Sequence, residues 1–222
     1  MGNLLKITLY FHIAFGFTAL LSGVLAILFT KGSKKHNLSG MLYYWCMIGI
    51  GITAFLIAIP KGNMFLLMIG GFSTYMTLTG RRYLQLRKQL KPTFSIVDRL
   101  FQGIALVTVF IPIVYFSLQS WSNLGGFIVV FAVFGSFLLS MVWVDMRASS
   151  KLETLPKKWF LSMHISRMMG AFIATFTAFL VINLHTDPVF IAWLLPTVVF
   201  TPLIIYFQRK FVKGKTGVVG IS

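Results

Sequence analysis

Acidic residues are nearly missing from this chain. Its 222 residues include four, Asp98, Asp145, Glu153 and Asp187, against 20 Lys and Arg, and all charged types together make up 11%. A soluble domain carries about a quarter, so the shortage argues against an ordinary water-facing surface. Cysteine is limited to Cys46, inside an apolar run, which excludes a disulfide framework and a cysteine metal cluster. No HExxH helix, P-loop, Gly-x-Ser-x-Gly elbow or dinucleotide fingerprint occurs. No stretch alternates polar and apolar residues as a barrel strand does, and no soluble domain, linker or low-complexity tract is evident.

What the chain has is apolar length. It is 57% hydrophobic and 16% aromatic, with 23 Phe and a mean hydropathy of +0.85. A spanning helix needs about 20 apolar residues. Seven segments qualify: Leu4–Phe29, Gly40–Ile59, Met64–Gly80, Leu100–Leu118, Leu124–Val144, Trp159–Leu184 and Val189–Phe207. Unpaired backbone cannot face lipid, so the expected fold is all-α, a seven-transmembrane helical bundle forming one membrane domain over residues 1–222. The first segment is too long for a signal peptide, its cations follow it, and no A-x-A site appears, so it reads as a retained helix. Asn37 or Ser39 is the expected cap of the second helix. Trp45, Trp121, Trp143, Trp159 and Trp193 fall near expected ends, as interfacial anchors do.

The basic residues give an orientation. Of the 20, 17 lie in four clusters, Lys31–Lys35, Arg81–Arg99, Arg147–Lys158 and Arg209–Lys215, on alternate connections. The turns around Trp121 and Asp187 carry none. By the positive-inside rule this places the N-terminus outside and the C-terminus in the cytoplasm. The third segment is the least secure span, because Arg81, Arg82 and Arg87 extend it as a basic helix along the inner interface. The net charge of +16 is spread over short loops, which fits lipid headgroups and topology and not a nucleic-acid-reading face.

Ionisable groups at membrane depth are costly, so each is a candidate. His164 and Arg167 share one face of the sixth helix with Ala171, Thr175 and Ala178. Asp145 ends the fifth helix at the same level, and His36 just precedes the second. These four form an expected inner-leaflet site for a haem, a divalent metal or a small anion, with His36 and His164 the better bis-histidine haem pair. Arg167 is equally consistent with a snorkelling anchor. On the outer side His12, on a face with Gly16, Ala19 and Gly23, is expected near His185 and Asp187. Asp98 reads as an interfacial partner of Arg81 or Arg82. Gly70-Thr74-Thr77 and Ser136-Ser140 read as packing stripes.

Several stretches also carry a resemblance. His12-Ile13 with Gly16, Ala19-Leu20 and Gly23, Lys35-His36 with Gly40 and Tyr43, Gly80-Arg81-Arg82, His164 through Gly170 on to Ala178-Phe179, and Trp193 to Thr197 together resemble a bacterial multi-pass membrane family of unknown function. The resemblance spans nearly the whole chain and implies a cytoplasmic-membrane location. His36-x-x-x-Gly40 is similar to haem-binding helices of b561-type cytochromes, which place paired histidines inside their helices. Three functional expectations follow. One is a membrane protein with a buried His/Arg/Asp site, enzymatic or not. A second is an accessory or assembly subunit held among other membrane subunits, and a third is a small-solute or proton-coupled transporter.

Overall fold

The computed structural model describes residues 2–118 and 127–213. Seven α-helices make up almost all of it: α1 Gly2–Leu28, α2 Lys34–Lys61, α3 Met64–Lys88, α4 Ile96–Leu118, α5 Phe127–Ser149, α6 Lys157–Asn183 and α7 Phe190–Gln208. A single 3-10 turn, Leu152–Thr154, precedes α6, and a π-turn, Arg209–Lys213, follows α7. No strand occurs among the described residues. Trp121, the expected start of the fifth segment at Leu124, and Lys215 lie outside them.

Six helices are long and apolar enough to cross a membrane; α3 is the exception. Its position explains why. Packed against α2, α4, α5 and α6, it buries Met68 to Thr77 almost continuously, together with Gly80, Tyr83 and Leu86. Neighbouring helices surround α3 from Met68 to Tyr83, so Ser73, Tyr75, Thr77 and Tyr83 meet protein, whereas the other helices turn large apolar groups outward. Phe17 on α1, Ile59 on α2 and Ile182 on α6 are each more than 60% exposed. An outer surface this apolar is what a multi-pass membrane protein offers to lipid.

Glycines set the closest helix contacts, as small residues do inside a membrane bundle. A Cβ on Gly51 would fall 2.2 Å from Thr74 Oγ1, and one on Gly71 would fall 2.1 Å from Thr108 Oγ1. Gly70 and Thr74 of the small stripe on α3 thus pack on α2, while Thr77 is fully buried. Ser136 and Ser140 do not form a packing stripe. Both are exposed on α5, and Ser140 Oγ turns back to Phe137 O at 2.8 Å, because a hydroxyl can satisfy itself within its own helix.

Local chemistry sets the helix ends. Ser33, extended at φ −67° and ψ 162°, accepts the His36 N–H at 3.2 Å and starts α2 at Lys34. The cap is therefore neither Asn37 nor Ser39, and His36 lies within the first turn rather than ahead of the helix. Gly62, at φ 59°, closes α2 in the left-handed conformation that costs glycine little. Ser95 and Asp98 form a capping box at α4: the Ser95 N–H donates to Asp98 Oδ2 at 2.7 Å and the Asp98 N–H to Ser95 Oγ at 3.4 Å.

The two ends of the bundle differ. At one end the starts of α3, α5 and α7 meet through Phe65, Phe127 and Trp193, with centroids 4.9–6.3 Å apart. At the other, Tyr83 stacks edge-on with Trp159 and Phe94, Gln208 Nε2 donates to Ser162 O at 2.8 Å, and Lys31 lies 4.6 Å from the Phe207 ring. The basic connections all gather at this second end. Trp159 and Trp193 therefore pack against protein aromatics, while Trp45 and Trp143 are exposed.

Candidate functional site

The polar centre lies on α3, α5 and α6, one turn in from the basic end of α5. Asp145 does not terminate that helix, which continues to Ser149. Its carboxylate is 1% exposed, and both oxygens are engaged. Tyr75 donates to Oδ2 at 2.5 Å, Tyr83 donates to Oδ1 at 2.5 Å, and Arg167 Nη2 donates to Oδ1 at 2.7 Å. Arg167 is 3% exposed, which rules out the snorkelling placement. Its Nη2 also reaches Met141 O at 3.2 Å, and its guanidinium carbon lies 5.6 Å from the Tyr75 ring. Arg167 Nη1 has no hydrogen-bond partner and no access to solvent.

Helical geometry assembles the cluster. Tyr75, Thr79 and Tyr83 recur every four residues and so lie along one face of α3. Tyr75 and Tyr83 straddle the Asp145 carboxylate from two turns apart. Arg167 comes from α6 beside a close α3–α6 contact, where a Cβ on Gly80 would fall 3.1 Å from the Arg167 Cβ.

Beside the cluster is a void of about 10 Å³ lined by Thr79, Arg82, Tyr83, Asp98, Gln102 and Asp145, among others. That is room for roughly one water molecule. Its far wall is the second ion pair, in which Arg82 Nε meets Asp98 Oδ1 at 2.8 Å and Oδ2 at 3.0 Å. Thus two of the four carboxylates border the same small space.

The histidines do not join the cluster. His164 Nδ1 is 2.8 Å from Gly80 O on α3, and His36 Nδ1 is 2.9 Å from Ala26 O at the end of α1. A carbonyl only accepts, so each Nδ1 carries the proton and leaves Nε2 free, as in many metal-ligating histidines. Yet no three His, Cys, Asp or Glu residues come together as a metal site among the described residues. The donor set at Asp145, one carboxylate with two phenols and a guanidinium, is too small for a divalent metal, while His36 and His164 lie near enough for their charges to interact. His12 bonds across to α2, with Nδ1 2.8 Å from Thr53 Oγ1. His185 and Asp187 are exposed near the other end, and no hydrogen bond or ion pair among the described residues links them to His12.

Comparison with protein-family models, curated proteins and solved structures finds no match to this chain.

Tyr75 and Tyr83 are absent from the sequence reading of the site. Their signal is faint: two phenols two turns apart on the most polar helix, in a chain where carboxylates to receive them are rare. Asp98 and Arg82, by contrast, form the ion pair that their positions suggest.

Proposed function

We propose that this protein is a seven-span protein of the cytoplasmic membrane, with its N-terminus outside, in which the Asp145–Arg167 site couples proton uptake to helix movement in a small-solute or proton-coupled transporter. The observation that carries this reading is a carboxylate 1% exposed, shared by donors on two other helices and balanced by one arginine. Apolar side chains of similar volume would hold three helices together as well as a buried ion pair does. An ionisable group at this depth is therefore a functional candidate first. A proton delivered from the adjoining void to an Asp145 oxygen would neutralise the carboxylate and leave the Arg167 charge unpaired. That loosens α5 from α3 and α6.

Crossing by α3 is supported by its register against α2. Ala54 meets Gly70, Gly51 meets Thr74 and Tyr44 meets Arg81, so α3 runs antiparallel along α2 for at least ~16 Å. Its ends then belong on opposite sides. In a Cys46→Ser background, Lys61→Cys should label with an impermeant maleimide from outside, and Leu90→Cys only after the membrane is opened. Labelling of both from one side would remove the crossing.

Activity is tested in proteoliposomes holding a pH-sensitive dye. An acid pulse should acidify the lumen faster than in empty vesicles, and Asp145→Asn, verified as folded, should return the rate to baseline. No flux with the unaltered protein would favour the second reading, an accessory or assembly subunit. That reading has its own support, since both Asp145 oxygens are already bonded as in a purely structural clasp. An absorption spectrum and metal analysis of the purified protein check the haem and metal alternatives, and phosphate or chloride titration checks the small anion.

A further inference from the structure

A second feature of α5 faces away from the polar centre. Leu106 of α4 and Leu139, Ser140, Val142, Trp143 and Met146 of α5 line an open cleft of about 360 Å³ on the outer surface. Val142 is its buried floor, while Ser140, Trp143 and Met146 are exposed. Its α5 wall runs along about two turns, roughly 10 Å at ~1.5 Å per residue, and ends beside Arg147. That guanidinium lies over the Trp143 ring, with its carbon 4.3 Å from the centroid. Arg147 has no ion-pair partner among the described residues, and the connection after it adds Lys151, Lys157 and Lys158 against Glu153 alone.

We propose that this cleft is a binding site for an anionic glycerophospholipid, with one acyl chain along Leu139 to Met146 and the phosphate on Arg147. Charge complementarity identifies the occupant: the apolar trough ends at an unpaired cation held by an aromatic ring at the basic end of the bundle. Interfacial arginines meet lipid phosphates in this way. The walls argue against a partner helix, because close helix contacts use small residues and this rim is Leu, Met and Trp with one serine. The inference rests on the chain lying in a bilayer and not on the proton reading of Asp145, since the cleft and Arg147 hold lipid without any titration of that carboxylate, so lipid retention and proton flux are read separately.

Native mass spectrometry of the full chain, incubated with phosphatidylglycerol or phosphatidylcholine, tests the site. One phosphatidylglycerol should stay bound under activation that strips other lipids, and phosphatidylcholine should be held less well. Arg147→Gln should weaken phosphatidylglycerol retention roughly fivefold, the effect of one interfacial cation. Ser140→Phe, at an exposed position, should fill the cleft and abolish retention of both lipids, and Met146→Phe serves if that variant does not fold. Equal retention of the two lipids with no effect of Arg147→Gln would overturn the headgroup contact. Retention untouched by the filling variants, or a bound protein mass in place of lipid, would overturn the site.

Discussion

Asp145 on α5 and Arg167 on α6 meet at 2.7 Å with 1% and 4% of their side chains exposed. Removing one partner from a buried pair leaves a charge with no compensation, which costs about 3–5 kcal/mol. Asp145→Asn and Arg167→Met should each destabilise the protein by that order in detergent. The double variant should lose less than the sum of the singles, with a coupling of roughly 1–3 kcal/mol. A coupling of a few tenths in the unfolding cycle would mean that the two residues act independently.

The two tyrosines separate hydrogen bonding from packing. Tyr75→Phe and Tyr83→Phe keep the ring and remove one donor from the carboxylate. Each should cost about 1.5–3 kcal/mol, the range for a bond to a charged group, seen as a lower unfolding temperature. Neutralising Asp145 first should shrink both effects. If the tyrosine penalties are unchanged in Asp145→Asn, the phenols do not act through the carboxylate.

Gly80 tests the α3–α6 contact beside the site. A Cβ there would lie 2.8 Å from Met168 Sδ and 3.1 Å from the Arg167 Cβ. Gly80→Ala should push the helices apart and cost about 1–3 kcal/mol, as overpacking does. Met168→Ala should recover part of that loss, because it removes the sulfur; an equally unstable double variant would locate the strain elsewhere.

Lys31 lies outside the helices, in the connection between α1 and α2. Its ammonium caps α1 through Ala26 O at 2.9 Å and Ile27 O, yet burial and the nearby Lys210 charge lower its pKa below the ordinary lysine value. Folding thus disfavours the protonated form. This penalty on stability is present at neutral pH and fades as pH rises through the lowered folded-state pKa towards the ordinary one. Lys210→Gln should raise the Lys31 pKa, followed by NMR of isotopically methylated lysines. An unmoved titration would leave burial as the sole cause.

The helical layout was readable in the sequence because lipid demands long apolar runs, and each of the seven runs marks a helix in the structure. Their ends were less readable. Ser33 caps α2 because its side chain meets the His36 N–H, a contact that depends on backbone angles. The site was legible only in part. Polar scarcity singled out Asp145 and Arg167, but His164, three residues from Arg167, turns to a carbonyl on α3 instead. Tyr75 and Tyr83 looked like ordinary membrane aromatics, since only the fold reveals what a phenol touches. Ser136 and Ser140 misled because a small polar residue suits a packed face and a self-bonded lipid face equally well.

Because α3 is sheathed by other helices, its sequence is suited to protein neighbours and not to oil. While the chain is being made, α3 emerges before α5 and α6, and until they arrive Ser73, Thr77 and Tyr83 lack their final surroundings. The surroundings of this helix are therefore a collective product, completed when Asp145 and Arg167 close around its phenols. A chain cut short after α4 would leave the Tyr75 and Tyr83 hydroxyls without the carboxylate that receives them.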